Sequence, residues 1–402
     1  MRIAFVTIHD PYDEKAFSGS VFHMREALQR QGQTIIPVGP LKEYYRPLHR
    51  AKKGGWRYLA GKEYLYRRDP RVTSGYAEQV KHQIQNKNVD LVFAPGTRAI
   101  ADLDVEVPIV FWTDAAFAEM IGYYPRYTNL TAKSVENGNR MEQRALTRSA
   151  RAIYSSNWAA QSAIQHYGVD SSKVVVVPYG ANFEIEPGRT EEDIHRSIGR
   201  RPREECRLLF VGVGWERKGG NVCVEIARKL NKRGLPTELL VVGCSPQIDG
   251  ELPSFVTSVG YVDKSTKKGQ KKFEQLFQSA TFLVHPARAE CAAVVLAEAN
   301  AYGVPALAST TGGITTVVRD GVNGKTFPVT DSAGTSSPNT IFEEAGQYVR
   351  FIEHRMKEGY GDLARSAFDE YRSRLNWASA AEQVTAYLRE VRRSYASETT
   401  EG

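Results

Sequence analysis

Short apolar runs recur along the chain, and each is separated from the next by a longer stretch of mixed polar and apolar residues. Apolar runs of roughly 4–8 residues are typical of buried strands, and longer stretches rich in Ala, Leu, Glu and Lys favour helices. Strands that alternate with helices predict α/β domains built on parallel, doubly wound sheets. A chain of 402 residues is long enough for two such domains, each with its own core.

The predicted boundary lies in a polar stretch interrupted by Gly and Pro, residues 184–205, which we interpret as an interdomain connection with a short helix. We expect an N-terminal domain at residues 1–183 and a C-terminal domain at residues 184–378. A final helix is predicted at residues 377–393, with an exposed tail from Ser394. The predicted strands are residues 2–8, 34–38, 89–93, 107–112, 150–154, 173–177, 207–211, 238–242, 256–260, 281–284 and 304–309. The other predicted helices are residues 21–31, 80–86, 132–148, 158–167, 221–234, 273–278, 292–302, 341–358 and 363–372, and a turn is predicted at residues 321–325.

Residues 282–313 contain a strand, a loop, a helix and a second strand in succession. This order forms a crossover unit of a parallel sheet, and ligands of such sheets bind beyond the carboxyl ends of the strands. Glu290 falls in the loop, and Glu298 falls inside an otherwise apolar helix, where a carboxylate needs a partner. A pair of sugar hydroxyls would serve, because carboxylates accept hydrogen bonds from hydroxyls. The alternative is that both are surface glutamates.

A glycine-rich loop, GVGWERKGG at residues 212–220, follows the first predicted strand of the C-terminal domain. Arg217 and Lys218 lie in this loop, just before a helix whose first backbone N–H groups have no partner within the helix. Two cations beside such N–H groups suit a diphosphate, because Arg offers a bidentate fork and Lys a compact charge. A basic turn without a ligand is the alternative.

Seven residues separate Glu290 from Glu298, and the stretch resembles the glutamate-seven-glutamate motif of retaining GT-B glycosyltransferases of family 4, also called glycosyl transferases group 1. The resemblance implies a GT-B fold, with two Rossmann-like domains that face each other across a cleft. The final helix, about residues 379–402, would return to the N-terminal domain. The resemblance is strong in the C-terminal domain and weak in the N-terminal one.

The resemblance also implies roles for individual residues. Glu290 would contact the donor sugar and Glu298 the nucleotide ribose, while Arg217 and Lys218 would bind the diphosphate and stabilise the leaving group. Because the cations would replace a metal ion, we expect no metal and no cofactor. In the front-face mechanism proposed for such enzymes, the departing phosphate oxygen takes the acceptor proton.

Two further segments contribute to the expected donor site. The segment with Tyr261 and Val262 resembles the one over which the nucleotide base lies. The family usually has a bulky apolar residue and then glycine at the positions of Ala292 and Ala293, which precede Val294 in this chain. This departure changes the expected shape of the donor-sugar pocket.

The N-terminal half offers two candidate residues. Gly19 lies in a loop between the first strand and the first helix, where the family usually has a glycine pair under the donor phosphates; Ser18 departs from that pair. Asp114 follows a predicted strand, near where family members carry a His or Asp at the reacting centre. The alternatives are a turn without a ligand for Gly19 and a helix cap for Asp114.

Residues 42–71 contain ten Lys or Arg and three acidic residues, which equals the net charge of +7 of the whole chain. Basic residues mixed with aromatic ones bind nucleic acid, anionic lipid headgroups or a phosphorylated acceptor. The alternative is a solvated helical excursion. The interleaved aromatic residues are Tyr44, Tyr45, Trp56, Tyr58, Tyr64 and Tyr66.

Four scattered cysteines without metal-ligand spacing predict a reducing cytoplasm and no disulfide framework. The first apolar run is too short for a signal peptide, and no run approaches the ~18 residues of a membrane span. We therefore expect a cytoplasmic enzyme, peripheral at the inner membrane face.

The expected reaction is transfer of a sugar from a nucleoside-diphosphate donor, of UDP or GDP type, to a hydroxyl of a glycan, glycolipid or small molecule, with retention at the anomeric carbon. We expect no nucleic acid partner, because only residues 42–71 favour one. A nucleotide-sugar-binding protein and an epimerase of similar fold are the alternatives.

Overall fold

The computed structural model describes residues 1–44, 46–183, 190–330 and 337–401. It divides into two compact units, the first formed by Met1–Tyr179 with Trp377–Gly402 and the second by Gly180–Asn376. Tyr45 and residues 184–189 of the predicted interdomain connection lie outside the described residues. Each unit is described separately below.

The first unit is built on a parallel sheet of six strands. The strands are β1 (Arg2–Val6), β2 (Thr34–Val38), β3 (Leu91–Ala94), β4 (Ile109–Thr113), β5 (Arg151–Tyr154) and β6 (Val174–Val176). They lie in the order β2-β1-β3-β4-β5-β6. The inner strands β3 and β4 are buried along their whole length, because helices cover both faces of the sheet.

The helices of the first unit lie between its strands, with two between β2 and β3, two between β4 and β5, and none in the described connection from β3 to β4. They are α1 (Ser20–Arg30), α2 (Arg46–Ala60), α3 (Pro70–Ile84), α4 (Phe117–Met120), α5 (Ala132–Arg148) and α6 (Asn157–Tyr167). Helix α5 begins where the Thr131 side chain accepts a hydrogen bond from the Ser134 N–H. Such side-chain caps satisfy donors that the first helical turn leaves free.

The second unit has its own parallel sheet of six strands. The strands are β7 (Cys206–Val211), β8 (Thr237–Val242), β9 (Val256–Gly260), β10 (Phe282–His285), β11 (Ala306–Ser309) and β12 (Gly324–Phe327). The helices are α7 (Glu191–Gly199), α8 (Gly220–Lys232), α9 (Lys267–Ser279), α10 (Val294–Asn300), α11 (Ile314–Val317), α12 (Pro338–Lys357) and α13 (Tyr360–Arg374). The strand order is β12-β11-β10-β7-β8-β9. The order reverses between β7 and β10, so this is the topological switch point of the sheet.

The last helix, α14 (Trp377–Glu401), belongs to the first unit and packs on α1. The rings of His23 and Trp377 stack with their centroids 6.1 Å apart. Near the other end, Arg151 donates to Glu390 at 2.7 Å. These contacts attach the end of the chain to the unit that its beginning forms.

The doubly wound architecture is confirmed, and the predicted strands all occur with their ends shifted by a few residues. Several local predictions are wrong. The helices predicted from residues 80 and 273 begin at Pro70 and Lys267, because the side chains of Asp69 and Thr266 cap them there. Lys325, predicted in a turn, lies in β12, which adds an edge strand beside β11. The last helix does not end before Ser394 but continues to Glu401, because Ala, Ser and Thr alone do not terminate a helix as Gly or Pro does.

Candidate functional site

Two loops meet at the carboxyl ends of β7 and β10, on the two sides of the switch point in the second unit. The β7 loop carries Arg217 and Lys218, and the β10 loop carries Glu290. The Arg288 N–H donates to the Arg217 carbonyl at 2.8 Å, and the Arg217 guanidinium donates to the Ala289 carbonyl at 2.7 Å. The structure therefore brings three of the predicted site residues together.

The carboxylate of Glu290 is the centre of this cluster. It accepts hydrogen bonds from the Lys218 ammonium at 2.5 Å, from His285 Nε2 at 3.3 Å and from the Arg217 guanidinium at 3.4 Å. Because an ionised carboxylate only accepts hydrogen bonds, Nε2 of His285 carries the proton. His285 was not predicted as a site residue. Its position at the end of a buried strand could have indicated it, because ligands of parallel sheets bind beyond the carboxyl ends of the strands.

Burial and mutual contact set the charges of this cluster. Burial would raise the pKa of Glu290, but Lys218 and His285 together lower that pKa well below its ordinary value. Burial first, and Lys218 next, lower the pKa of His285 to about 4. At neutral pH the cluster therefore holds a carboxylate, a neutral imidazole and two cations.

Two glycines fix the position and shape of the β7 loop. Gly219 has φ +76°, and a Cβ there would lie 2.1 Å from the carbonyl oxygen of Pro286 in the β10 loop. A Cβ on Gly220 would lie 2.3 Å from the ring of Trp215, a buried residue of the β7 loop itself. A larger residue at Gly219 would push the two loops apart, and one at Gly220 would displace Trp215 within the β7 loop.

Glu298, which lies in α10, has a separate partner that does not belong to the first cluster. It is buried, and it accepts a hydrogen bond from the Lys264 ammonium at 2.6 Å. Lys264 comes from the loop after β9, the same loop that carries Tyr261 and Val262. Lys264 was not predicted as a site residue, since that region holds several lysines and the pairing depends on the tertiary fold.

The departure from the family motif has a local backbone consequence. Ala293, the residue before α10, has φ +41° and ψ 52°, which is the left-handed region. Non-glycine residues adopt it at a cost of about 1–2 kcal/mol. The family glycine at this position therefore suits the backbone, and this chain holds an alanine there under strain. Ala292 and Val294 flank it and are partly buried.

The two predicted residues of the first unit lie at strand ends. Gly19 is the residue before α1 and has φ +90°, and Phe17 and Ser18 are also left-handed, with φ 54° and 58°. Asp114 directly follows β4 and is partly buried. It does not cap α4, because that helix begins after Ala116.

One surface group of the described residues has metal-ligand geometry. The ligand atoms of Glu191, His195 and Asp369 lie within 4.8 Å of one another, and two of the three residues are exposed. Arg372 forms an ion pair with Glu191 and so competes with a cation. These residues lie on α7 and α13, on helices that contribute nothing to the Glu290 cluster.

An Asp-x-Asp pair, whose two carboxylates could hold a metal ion, occurs once in the sequence, at Asp102 and Asp104. Asp102 accepts from Arg144 at 2.8 Å, and the Asp104 side chain is 85% exposed. The first carboxylate is thus neutralised by an arginine and the second points away into solvent. Neither belongs to the β7 and β10 loops.

Residues 42–71 form α2, a short 3-10 helix (Tyr66–Arg68) and the start of α3. Helix α2 exposes the apolar side chains of Leu48, Tyr58 and Leu59. Among the described helices, none combines the length and apolar character needed to cross a bilayer.

Two families match this chain. "Glycosyl transferases group 1" matches residues 205–337, and "Glycosyltransferase Family 4" matches residues 19–184. Two relatives named D-inositol 3-phosphate glycosyltransferase are also similar. That of Paenarthrobacter aurescens is 29% identical over 189 residues, which cover 46% of each chain, and that of Actinosynnema mirum is 30% identical over 195 residues, again 46% of each. The matched region thus spans about half the length of these relatives.

Solved structures match over nearly the whole chain. Sucrose-phosphate synthase from Thermosynechococcus elongatus aligns with a TM-score of 0.67 at 17% identity and covers 98% of this chain and 100% of its own. HepE of Anabaena in complex with UDP and glucose aligns with a TM-score of 0.60 at 15% identity, over 97% and 100%. At these identities the likeness concerns the fold. With both family matches and the paired six-stranded sheets, the chain belongs to the family 4 glycosyltransferases of the GT-B fold.

Proposed function

We propose that the protein is a retaining glycosyltransferase that uses a nucleoside-diphosphate sugar as donor and a hydroxyl as acceptor. The observation that carries the proposal is the meeting of Arg217, Lys218 and Glu290 at the switch point of the second unit. Ligands of doubly wound sheets bind at this position. The cations match a diphosphate, and the carboxylate matches sugar hydroxyls.

The ion pairs suggest how donor binding proceeds. An incoming diphosphate would take the hydrogen bonds of Lys218 and Arg217, which Glu290 now accepts. Glu290 would then accept from a hydroxyl of the donor sugar. When the glycosidic bond to phosphate breaks, charge develops on the phosphate oxygen, and the two cations stabilise that charge. The departing oxygen takes the acceptor proton, so a separate base is not required.

The remaining donor contacts follow the same logic. Glu298, whose carboxylate accepts a hydrogen bond from Lys264, would bind the ribose hydroxyls. Tyr261, 69% exposed beyond β9, offers a flat surface to the nucleotide base. UDP is the first donor type to test, because UDP is bound in the HepE structure, and GDP is the second. Asp114 orients sugar or acceptor in this scheme.

The acceptor belongs to the first unit in this proposal, and the name of the curated relatives makes D-inositol 3-phosphate one acceptor to test. We also place the enzyme in the cytoplasm at an anionic membrane face. Helix α2 supports this contact, because exposed Leu48, Tyr58 and Leu59 stand beside exposed cations. Changing Arg50, Lys52, Lys53 and Arg57 to Ser should abolish binding to anionic vesicles; unchanged vesicle binding would exclude the membrane role. The catalysed reaction itself does not depend on that outcome.

The test is transfer from UDP- and GDP-sugars, with the anomeric configuration of the product followed by NMR. Retention is expected. Glu290→Gln should slow transfer far more than it weakens nucleoside diphosphate binding, and Glu298→Ala should weaken that binding by about 10- to 100-fold. Product with inverted configuration would exclude the retaining mechanism. Donor binding without transfer would instead favour a nucleotide-sugar-binding protein, and interconversion of the donor sugar an epimerase.

A further inference from the structure

The first unit collects a second group of cations, which the donor chemistry of the second unit leaves unused. Its sheet reverses order between β1 and β3, so its switch point lies there. His9 follows β1 and Arg98 follows β3. Arg67 and Arg68, in the 3-10 helix before α3, lie close enough to Arg98 for their charges to lower its pKa.

Arg98 is the least neutralised member of this group. Within the described ranges its guanidinium takes part in no hydrogen bond or ion pair. Burial, and after it the charge of Arg68, lower the pKa of Arg98 to about 10. Burial, Arg98 and Arg67 likewise lower the pKa of His9, so that the imidazole is neutral at physiological pH. The Arg98 side chain is only partly buried, so this guanidinium, held among like charges, is accessible to an anion from solvent.

A buried hydroxyl points to the same ligand independently. Tyr76 on α3 is 1% exposed, and its hydroxyl has no hydrogen-bond partner among the described residues. It lies within the electrostatic reach of Arg98 and Arg67. Burial first, and Glu43 next, raise its pKa to about 12, so it remains a donor at all ordinary pH values. A buried donor without an acceptor is costly unless a ligand supplies one.

The surroundings of Arg68 hold its guanidinium in place. The Cζ atom of Arg68 lies 4.2 Å from the centroid of the Phe117 ring, and its Nη1 atom lies 3.8 Å from the Glu142 carboxylate. Glu142 also accepts from the Thr97 hydroxyl at 2.8 Å, and Thr97 immediately precedes Arg98. One buried carboxylate therefore fixes both the arginine from the 3-10 helix and the loop after β3. Arg68 and the loop that carries Arg98 are therefore held in place before any ligand enters.

The charges of the group do not balance. Arg67 is paired with Glu43 at 2.5 Å. Burial raises the pKa of Glu142, which lies 3.8 Å from Arg68. Arg98 has no carboxylate partner in the described part of the chain. Three guanidinium groups thus face two carboxyl groups, and the excess of positive charge suits an anion.

We propose that Arg68, Arg98 and the Tyr76 hydroxyl bind a phosphate monoester. A phosphate monoester supplies three terminal oxygens, which accept from a guanidinium fork, from a second guanidinium and from a hydroxyl. That this phosphate belongs to the acceptor rests on the proposed function; that the site binds phosphate does not.

Inorganic phosphate is the first probe, used on the full chain at constant ionic strength. Hydrogen exchange should show protection of the loops after β1 and β3 and of the first turns of α3. Arg98→Gln should weaken phosphate binding by tenfold or more, and Arg98→Lys should retain part of it. Tyr76→Phe should cause a smaller loss. Arg389→Gln, which removes an exposed arginine of α14, is the matched control and should bind phosphate as the unmodified chain does.

Two phosphorylated compounds distinguish the source of the group. Glycerol 3-phosphate presents a soluble phosphate monoester, and vesicles with phosphatidic acid present one at a lipid surface. Binding that depends on Arg98 is expected for at least one of them, and that one identifies the source. Acetate, which has one charge and two oxygens, should bind much more weakly.

UDP binding by the same variants separates this inference from the proposed function. Arg98→Gln should bind UDP normally. If UDP fails to bind the unmodified chain while the phosphate response still depends on Arg98, the donor proposal fails and the phosphate site stands. If folded Arg98→Gln and Tyr76→Phe bind phosphate as tightly as the control, or if chloride alone gives the same protection, the phosphate site is wrong.

Discussion

At the switch point of the second unit, Lys218 and Arg217 share the carboxylate of Glu290, whereas at that of the first unit Arg98 has no carboxylate within the described residues. The two sites share a position in their sheets but differ in charge balance. In the second unit an anion must displace Glu290 from its cations. In the first unit an anion would relieve a repulsion that already exists. We therefore expect the two proposed anion sites to differ in how removal of a cation changes the stability of the protein.

The largest effect should come from removing a cation in the second unit. Lys218→Met leaves the buried Glu290 charge without its main partner, and breaking such a pair costs about 3–5 kcal/mol. Arg98→Met in the first unit should leave stability unchanged or raise it, because it removes a repelling charge. Hydrogen exchange during chemical denaturation reports the free energy of unfolding of each unit, and so measures the effect of both variants. Equal destabilisation by the two changes would remove the contrast between the sites.

The pH dependence of the second unit should come next. His285 has a folded pKa of about 4 against an ordinary 6.5, so the unfolded chain takes up the proton first. Its contribution is therefore complete above about pH 6.5 and is lost as pH falls towards 4, by about 3 kcal/mol. His285→Gln should flatten the stability of this unit across that range. If the stability of the variant still falls with pH as steeply as that of the unmodified chain, other groups cause the pH dependence.

A glycine in each unit gives a matched pair of smaller effects. A Cβ on Gly138 would lie 2.0 Å from the Phe117 ring, and one on Gly220 would lie 2.3 Å from the Trp215 ring. Each alanine variant should cost about 1–3 kcal/mol through overpacking. Gly138→Ala should weaken phosphate binding alone, because Phe117 supports Arg68, and Gly220→Ala should weaken UDP binding alone. Loss of both ligands in either variant would mean that the two sites are not independent.

The smallest expected effect is a gain. Ala293→Gly relieves the left-handed strain before α10 but gives the unfolded chain more freedom, which leaves a net stabilisation of roughly 0.5–1 kcal/mol. Thermal unfolding should detect it. A loss of stability would show that the Ala293 methyl group contributes packing that outweighs the strain.

Much of the second unit could be predicted from sequence, because its site residues follow buried strands in local motifs. Arg217 and Lys218 lie in a glycine-rich loop after one apolar run, and Glu290 lies in the loop after another. The partners His285 and Lys264 were missed, since pairing across loops depends on the register of distant strands.

The first unit was less predictable for the same physical reason. The net charge of residues 42–71 indicates a binding surface. Charge alone does not distinguish the exposed cations of α2 from Arg67 and Arg68, which are partly buried. Arg98 lies outside that segment and has no motif around it. Its importance follows from the sheet order, which places the ends of β1 and β3 together.

The most direct test of the donor site is calorimetry of UDP and GDP in the presence of a chelator. We predict that at least one of them binds without a metal ion and that Arg217→Gln with Lys218→Gln weakens this binding by at least about a hundredfold, as expected for the loss of two charged hydrogen bonds. Binding that requires magnesium, or that is unchanged in the double variant, would contradict the role assigned to the switch point of the second unit.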